Sequence, residues 1–116
     1  MIEQLVAKVF AARDAAHLAH WSTGSYSEHV ALAHFYAEVV EITDRVVECY
    51  QGAFEKISKV ELEHSKSKPA ELLAEQAVWL QSNLDELCKD LAPLENIVAE
   101  LLELYLSTLY KLNNLR

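Results

Sequence analysis

Histidines and carboxylates are concentrated in one part of this sequence, the segment His20-Trp21-Ser22-Thr23-Gly24 and the predicted helix at residues 29–48. Imidazole and carboxylate groups without a thiolate suit Fe(II), Mn(II) or Zn(II). This part of the chain therefore predicts a metal site. The potential ligands in it include His20, His29, His34, Glu38, Asp44 and Glu48.

Two predicted helices position these residues. In residues 2–21 apolar side chains recur with helical spacing, and the helix carries His20 to its C-terminal end, where Gly24 ends it as a residue of positive φ or a turn would. Ser25 or Ser27 caps a second helix, which runs to about residue 51, where Gly52 marks a break or kink. At about 100° per residue, the candidate ligands of this helix form a stripe beside its apolar core face.

The remaining chain predicts two more helices and a long connection. Residues 53–68 have the pattern of a short amphipathic crossover followed by a loop, and Pro69 begins a third helix that extends to about residue 91. After a tight turn at Ala92-Pro93, a fourth helix spans residues 94–113. Short, long and short connections, in a chain with only 2 Gly and 2 Pro, predict a single all-α domain, a four-helix bundle with ferritin-like connectivity.

The distribution of histidines limits where a metal site can form. The third and fourth predicted helices contain no histidine, so nitrogen ligands come from the first two helices, with His64 as the one other source. Because the candidate ligands spread along one flank of a helix, we expect a second copy of the chain to complete the site. The apolar arc of the fourth helix is wider than one core face needs, which also indicates a partner subunit.

The segment His20-Trp21-Ser22-Thr23-Gly24 resembles the His-Trp-Asn-x-x-Gly segment of Dps proteins, the mini-ferritins. His29, Asp44 and Glu48 follow at separations similar to those of the iron ligands in that family. The resemblance therefore implies His20, His29, Asp44 and Glu48 as the first-choice ligands, with His34 and Glu38 as the reserve ligands. The resemblance implies iron as the metal and a ferroxidase site at the interface of a two-fold dimer. It also implies assembly of such dimers into a shell that stores iron.

The sequence departs from the Dps pattern at several positions. Ala33 stands where the family has a carboxylate four residues after its second histidine, and the loop before His29 is shorter. His34 with Glu38 restores a His-x-x-x-acid pair in a second register. These departures favour an alternative, a ferritin-like bundle without an active metal site that serves as a structural or protein-interaction module. A metal-dependent enzyme similar to the DinB-like bundles is a third alternative, which the His-Trp segment fits less well.

Each candidate ligand also has an ordinary structural role open to it. His20 lies at the end of a helix, and a role as a cap that interacts favourably with the helix macrodipole is as well supported as a role as a metal ligand. His29 and His34 taken singly are more often surface histidines, and glutamates on a helix more often form a solvated face. Asp44 is the sharper signal, because Asp is a poor helix former in the middle of a helix.

Composition and charge argue against several other classes of protein. The net charge is −8, and the basic residues are scattered apart from a small group at Lys56, Lys59, Lys66 and Lys68, so we expect no nucleic-acid partner. The N-terminus lacks the basic region of a secretory signal. The longest apolar stretch, residues 97–110, contains two glutamates, so we expect a soluble, cytoplasmic protein without membrane contact.

Overall fold

The computed structural model describes residues 1–116 and contains four α-helices. They are α1 (Ile2–Ser22), α2 (Tyr26–Ala53), α3 (Pro69–Cys88) and α4 (Ala92–Asn114). The predicted all-α four-helix bundle and the order of its connections, short, long and short, are confirmed. No helix combines the length and the apolar character that crossing a bilayer requires.

The four helices are arranged as a square. α1 and α4 each pack on both α2 and α3, so α1 and α4 occupy one diagonal and α2 and α3 the other. The pairs α1–α2 and α3–α4 are antiparallel because only residues 23–25 and 89–91 join them. Each short connection therefore brings the end of one helix beside the start of the next.

The crossover, residues 54–68, runs along α1 from its N-terminal end towards its C-terminal end. Near its start the Ser58 N–H donates to the Glu3 carboxylate at 2.8 Å, and this bond holds the pKa of Glu3 below its ordinary value. Near its far end His64 lies beside Asp14. α2 and α3 therefore run in the same direction, which is the connectivity that the sequence predicts.

Apolar side chains from all four helices fill the centre of the bundle. Phe35 and Tyr105 are fully buried and meet edge to face, with ring centroids 5.2 Å apart. The Tyr105 hydroxyl donates to Gln76 Oε1 at 2.6 Å, and Gln76 Nε2 donates to the Lys8 carbonyl at 2.9 Å. Burial raises the pKa of Tyr105, so its hydroxyl stays protonated and links α4 through α3 to α1.

The roles of the two glycines near the ends of α1 and α2 differ from the prediction. Gly24 does not adopt a positive φ. α1 is instead terminated by Thr23, whose extended backbone turns the chain while its N–H still bonds the Ala19 carbonyl at 2.9 Å. Gly52 does not break α2, which continues to Ala53, because an exposed glycine near a helix end costs only about 1 kcal/mol relative to alanine.

The caps and the crossover show where local signals succeed and fail. The predicted cap at Ser25 is confirmed, since its Oγ accepts the Glu28 N–H at 3.3 Å. α3 ends at Cys88, earlier than predicted, because Lys89 and Asp90 adopt left-handed backbone conformations with φ of 51° and 61°. The crossover, residues 54–68, contains no helix.

Thr108 on α4 provides a test of core packing. Its buried hydroxyl has no hydrogen-bond partner, whereas the buried hydroxyl of Thr43 donates to the Val39 carbonyl at 2.7 Å. We expect Thr108→Val to raise the free energy of unfolding by about 1 kcal/mol in urea denaturation, because it removes an unpaired polar atom. The matched variant Thr43→Val removes a satisfied hydroxyl and should give no such gain. A Thr108→Val protein less stable than the parent would contradict this expectation.

Candidate functional site

His20 and His29 form a reciprocal pair, here called the histidine clasp, where α1 meets α2. His20 Nδ1 lies 2.7 Å from the His29 carbonyl oxygen, and His29 Nδ1 lies 2.8 Å from the His20 carbonyl oxygen. The two rings stack with centroids 3.7 Å apart and planes inclined by 15°. Because a carbonyl oxygen only accepts, both Nδ1 atoms carry the proton, and in the neutral rings both Nε2 atoms keep a free lone pair.

The local sequence explains why the clasp forms. α1 ends at Ser22, and Ser25 caps α2, so the connection is too short to separate the two histidines. His20 is in the last turn of α1 and His29 in the first turns of α2. The antiparallel packing of the two helices then sets each imidazole against the backbone of the other helix.

Aromatic side chains extend the clasp along the outer side of α1 and α2. The ring of His17 stacks on Tyr36 with centroids 4.1 Å apart, and Trp21 lies 4.4 Å from His17 in a tilted arrangement. The Arg13 guanidinium lies 5.7 Å from the Tyr36 ring centroid, within the range of a cation–π contact. Trp21 remains 68 % exposed, so in a single chain it is not a core residue.

Asp44 and Glu48 lie one turn apart on the exposed side of α2 and take part in no ion pair within the chain. Asp44 comes 15 residues after His29 in the same continuous helix, a separation of about 22 Å at the α-helical rise. No three His, Cys, Asp or Glu side chains of the chain are grouped closely enough to hold a metal ion. A single chain therefore does not bring the first-choice ligands together.

The reserve ligands lie on a different surface from the clasp. His34 and Glu38 face α4 across a groove, where Glu100 and Glu103 line the opposite wall. Because this groove lies between α2 and α4, the second register does not fill the position that Ala33 leaves without a carboxylate. The structure thus separates the reserve pair from the first-choice histidines.

Sequence reasoning missed the α4 side of this groove. Because the third and fourth predicted helices contain no histidine, the sequence indicates no site on α4. The position of the α4 carboxylates opposite His34 depends on the relative register of α2 and α4, which are far apart in sequence. The one available signal was the position of Glu100 and Glu103 within the otherwise apolar stretch of α4, which marks the exposed side of that helix.

The fold and the clasp define a four-helix bundle with an exposed pair of hydrogen-bonded histidines at one helix junction. Residues 20–112 match the family of unknown function DUF5856, and the chain belongs to this family. Comparisons with curated proteins and with solved structures give no match. The resemblance to Dps proteins is therefore not accompanied by a match to a ferritin or Dps family.

The clasp should contribute to stability independently of any ligand. We expect His20→Ala to lower the free energy of unfolding by about 1 kcal/mol, because one hydrogen bond and the ring stack are lost. In a double-mutant cycle the loss for His20→Ala with His29→Ala should be smaller than the sum of the single losses. His64→Ala, in the exposed crossover, is the control and should change little. Additive losses in thermal or urea unfolding would show that the two rings do not stabilise each other.

Proposed function

We propose that this protein binds divalent metal ions between two copies of the chain, with His20 and His29 from one copy and Asp44 and Glu48 from the other. The main observation that supports this proposal is the hydrogen bonding of the histidine clasp. Histidines that ligate metals almost always donate their second ring N–H to a carbonyl, a carboxylate or water, which orients the ring. Both Nδ1 atoms of the clasp are engaged in this way, which leaves both Nε2 atoms for a ligand.

The exposed acidic pair on α2 is the proposed source of oxygen ligands. Two antiparallel α2 helices centred near Ala37 would set His29 of one copy level with Asp44 of the other, since these residues lie about equally far from Ala37. Ala33 and Ala37 present small side chains on this side of the helix, which favours close approach of a second helix. A second copy would thus supply what the single chain lacks.

The donor set suits Fe(II), with Mn(II) and Zn(II) as alternatives. Since an Nε2 lone pair lies in the plane of its ring, two stacked rings do not converge on one point, so we assign the two histidines to separate ions. With iron as the substrate, the resemblance to Dps implies oxidation to Fe(III) by O₂ or peroxide and storage within a homo-oligomer. His29, Asp44 and Glu48 are exposed and His20 is half-buried. This exposure suits a site that must admit and release its substrate.

Metal titration of matched variants tests the proposal. We expect His29→Ala and Glu48→Ala each to weaken binding of Zn(II), or of Fe(II) without oxygen, by at least about tenfold, because each removes a ligand. His64→Ala and Glu86→Ala remove the same side-chain types from the crossover and α3 and should bind like the parent. Calorimetry gives the affinity, and light scattering after size exclusion should show that metal promotes dimers or larger assemblies. Parent-like binding by both His29→Ala and Glu48→Ala would refute the site.

The second candidate function is that of a protein-interaction module without an active metal site. The groove between α2 and α4 favours it, because a groove that combines exposed apolar and acidic side chains is suited to a partner segment. A chain that binds no metal in the titration and remains monomeric would favour this function over the first.

A further inference from the structure

Two adjoining depressions, here together called the α2/α4 groove, lie along the exposed boundary between α2 and α4. Its apolar end is lined by Tyr26, Val30 and Leu115, and its acidic end by Glu38 and Glu103. His34 lines both ends and so joins them. We propose that this groove binds an amphipathic helical segment of a partner protein, with apolar side chains at one end of its bound face and Lys or Arg at the other.

The apolar end has the exposure expected of an unfilled contact surface. Tyr26 is 81 % exposed, and Val30 and Leu115 are each 46 % exposed, although all three line the same depression. Scattered exposed apolar residues are ordinary, but a group gathered around one groove marks an interaction surface. Lys111 borders this end, which suits a partner that carries an acidic residue or its own C-terminus there.

The acidic end of the groove favours a bound segment that is positively charged there. Glu38 and Glu103 make no ion pair within the chain, while Glu100 is paired with Arg45 at 3.1 Å at the far limit of the groove. A cation placed between two unpaired carboxylates on opposite walls of a groove is attracted by both. The net charge of −8 adds to the attraction for a basic segment.

The same charge pattern argues against a second copy as the occupant. A two-fold axis perpendicular to the helices would set the acidic end of one copy on the apolar end of the other, and an axis along the helices would set acid against acid. In the first arrangement each acidic end, with its two unpaired carboxylates, would meet one groove-lining cation, Lys111 of the other copy, and in the second it would meet none. A partner of different sequence is therefore the occupant that the groove fits.

The dimensions of the groove suit a helix. Tyr26, Val30, His34 and Glu38 recur every fourth residue along one inclined row of α2, which spans about 18 Å at the α-helical rise. This length accommodates about three turns of a partner helix, the size at which helix-in-groove recognition uses anchors at i, i+4 and i+7. The inference extends the second candidate function and does not depend on metal binding, since no groove residue belongs to the proposed inter-subunit site.

Selection from a peptide library tests the inference. The intact chain, kept in EDTA so that metal plays no part, is used to select from phage-displayed random peptides of about 15 residues, or four helical turns. We expect the enriched peptides to combine apolar residues with Lys or Arg. We also expect a synthetic enriched peptide to bind at least about tenfold more weakly to the Glu38→Lys/Glu103→Lys protein and to Tyr26→Ser in fluorescence anisotropy.

Matched variants on α3 separate groove binding from general attraction to an acidic protein. Glu75→Lys/Glu86→Lys makes the same change in net charge, and Val78→Ser removes an apolar side chain that is 63 % exposed. Both should bind the peptide like the parent, and circular dichroism should show that all variants remain helical. Three results would overturn the inference: no enriched peptide, equal weakening by the α3 variants, or displacement of the peptide by self-association of the parent chain.

Discussion

The length of the crossover is the constraint on which the arrangement of the bundle depends. α2 and α3 run in the same direction, so residues 54–68 must return along most of the molecule. As a helix these 15 residues would span only about 22 Å, whereas as an extended chain they reach about 50 Å. α2 itself has 28 residues and is about 42 Å long. The crossover must therefore be extended.

An extended crossover needs anchors, and α1 supplies them. The Ser58 N–H donates to Glu3, and Lys8 lies 3.9 Å from Glu63. Because these contacts hold the segment against α1, the crossover covers that helix and leaves the outer sides of α2 and α4 open. The clasp, the acidic pair of α2 and the α2/α4 groove all lie on the sides that it leaves uncovered.

Short-range signals were sufficient to predict the helices. Helical spacing, few glycines and prolines, and a serine cap at Ser25 identified the elements and their connections. The proximity of His20 and His29 follows from a short connection between antiparallel helices. Their reciprocal hydrogen bonds to backbone carbonyls do not follow from the short connection, because these bonds depend on the rotation of each helix about its own axis. The groove depends on the register of α2 against α4, to which residues more than 60 positions apart contribute.

The two candidate functions share one helix, and their surfaces adjoin. His29 belongs to the clasp, and the next residue, Val30, lines the apolar end of the groove. A second chain seated over the clasp would therefore border a segment bound in the groove. If a ligand at one surface changes the affinity at the other, thermodynamic linkage requires the reverse effect to be equal. The proposed metal-dependent pairing of the chain and the proposed recognition of a basic helix use different residues, and His29 and Val30 mark the point where the two surfaces meet.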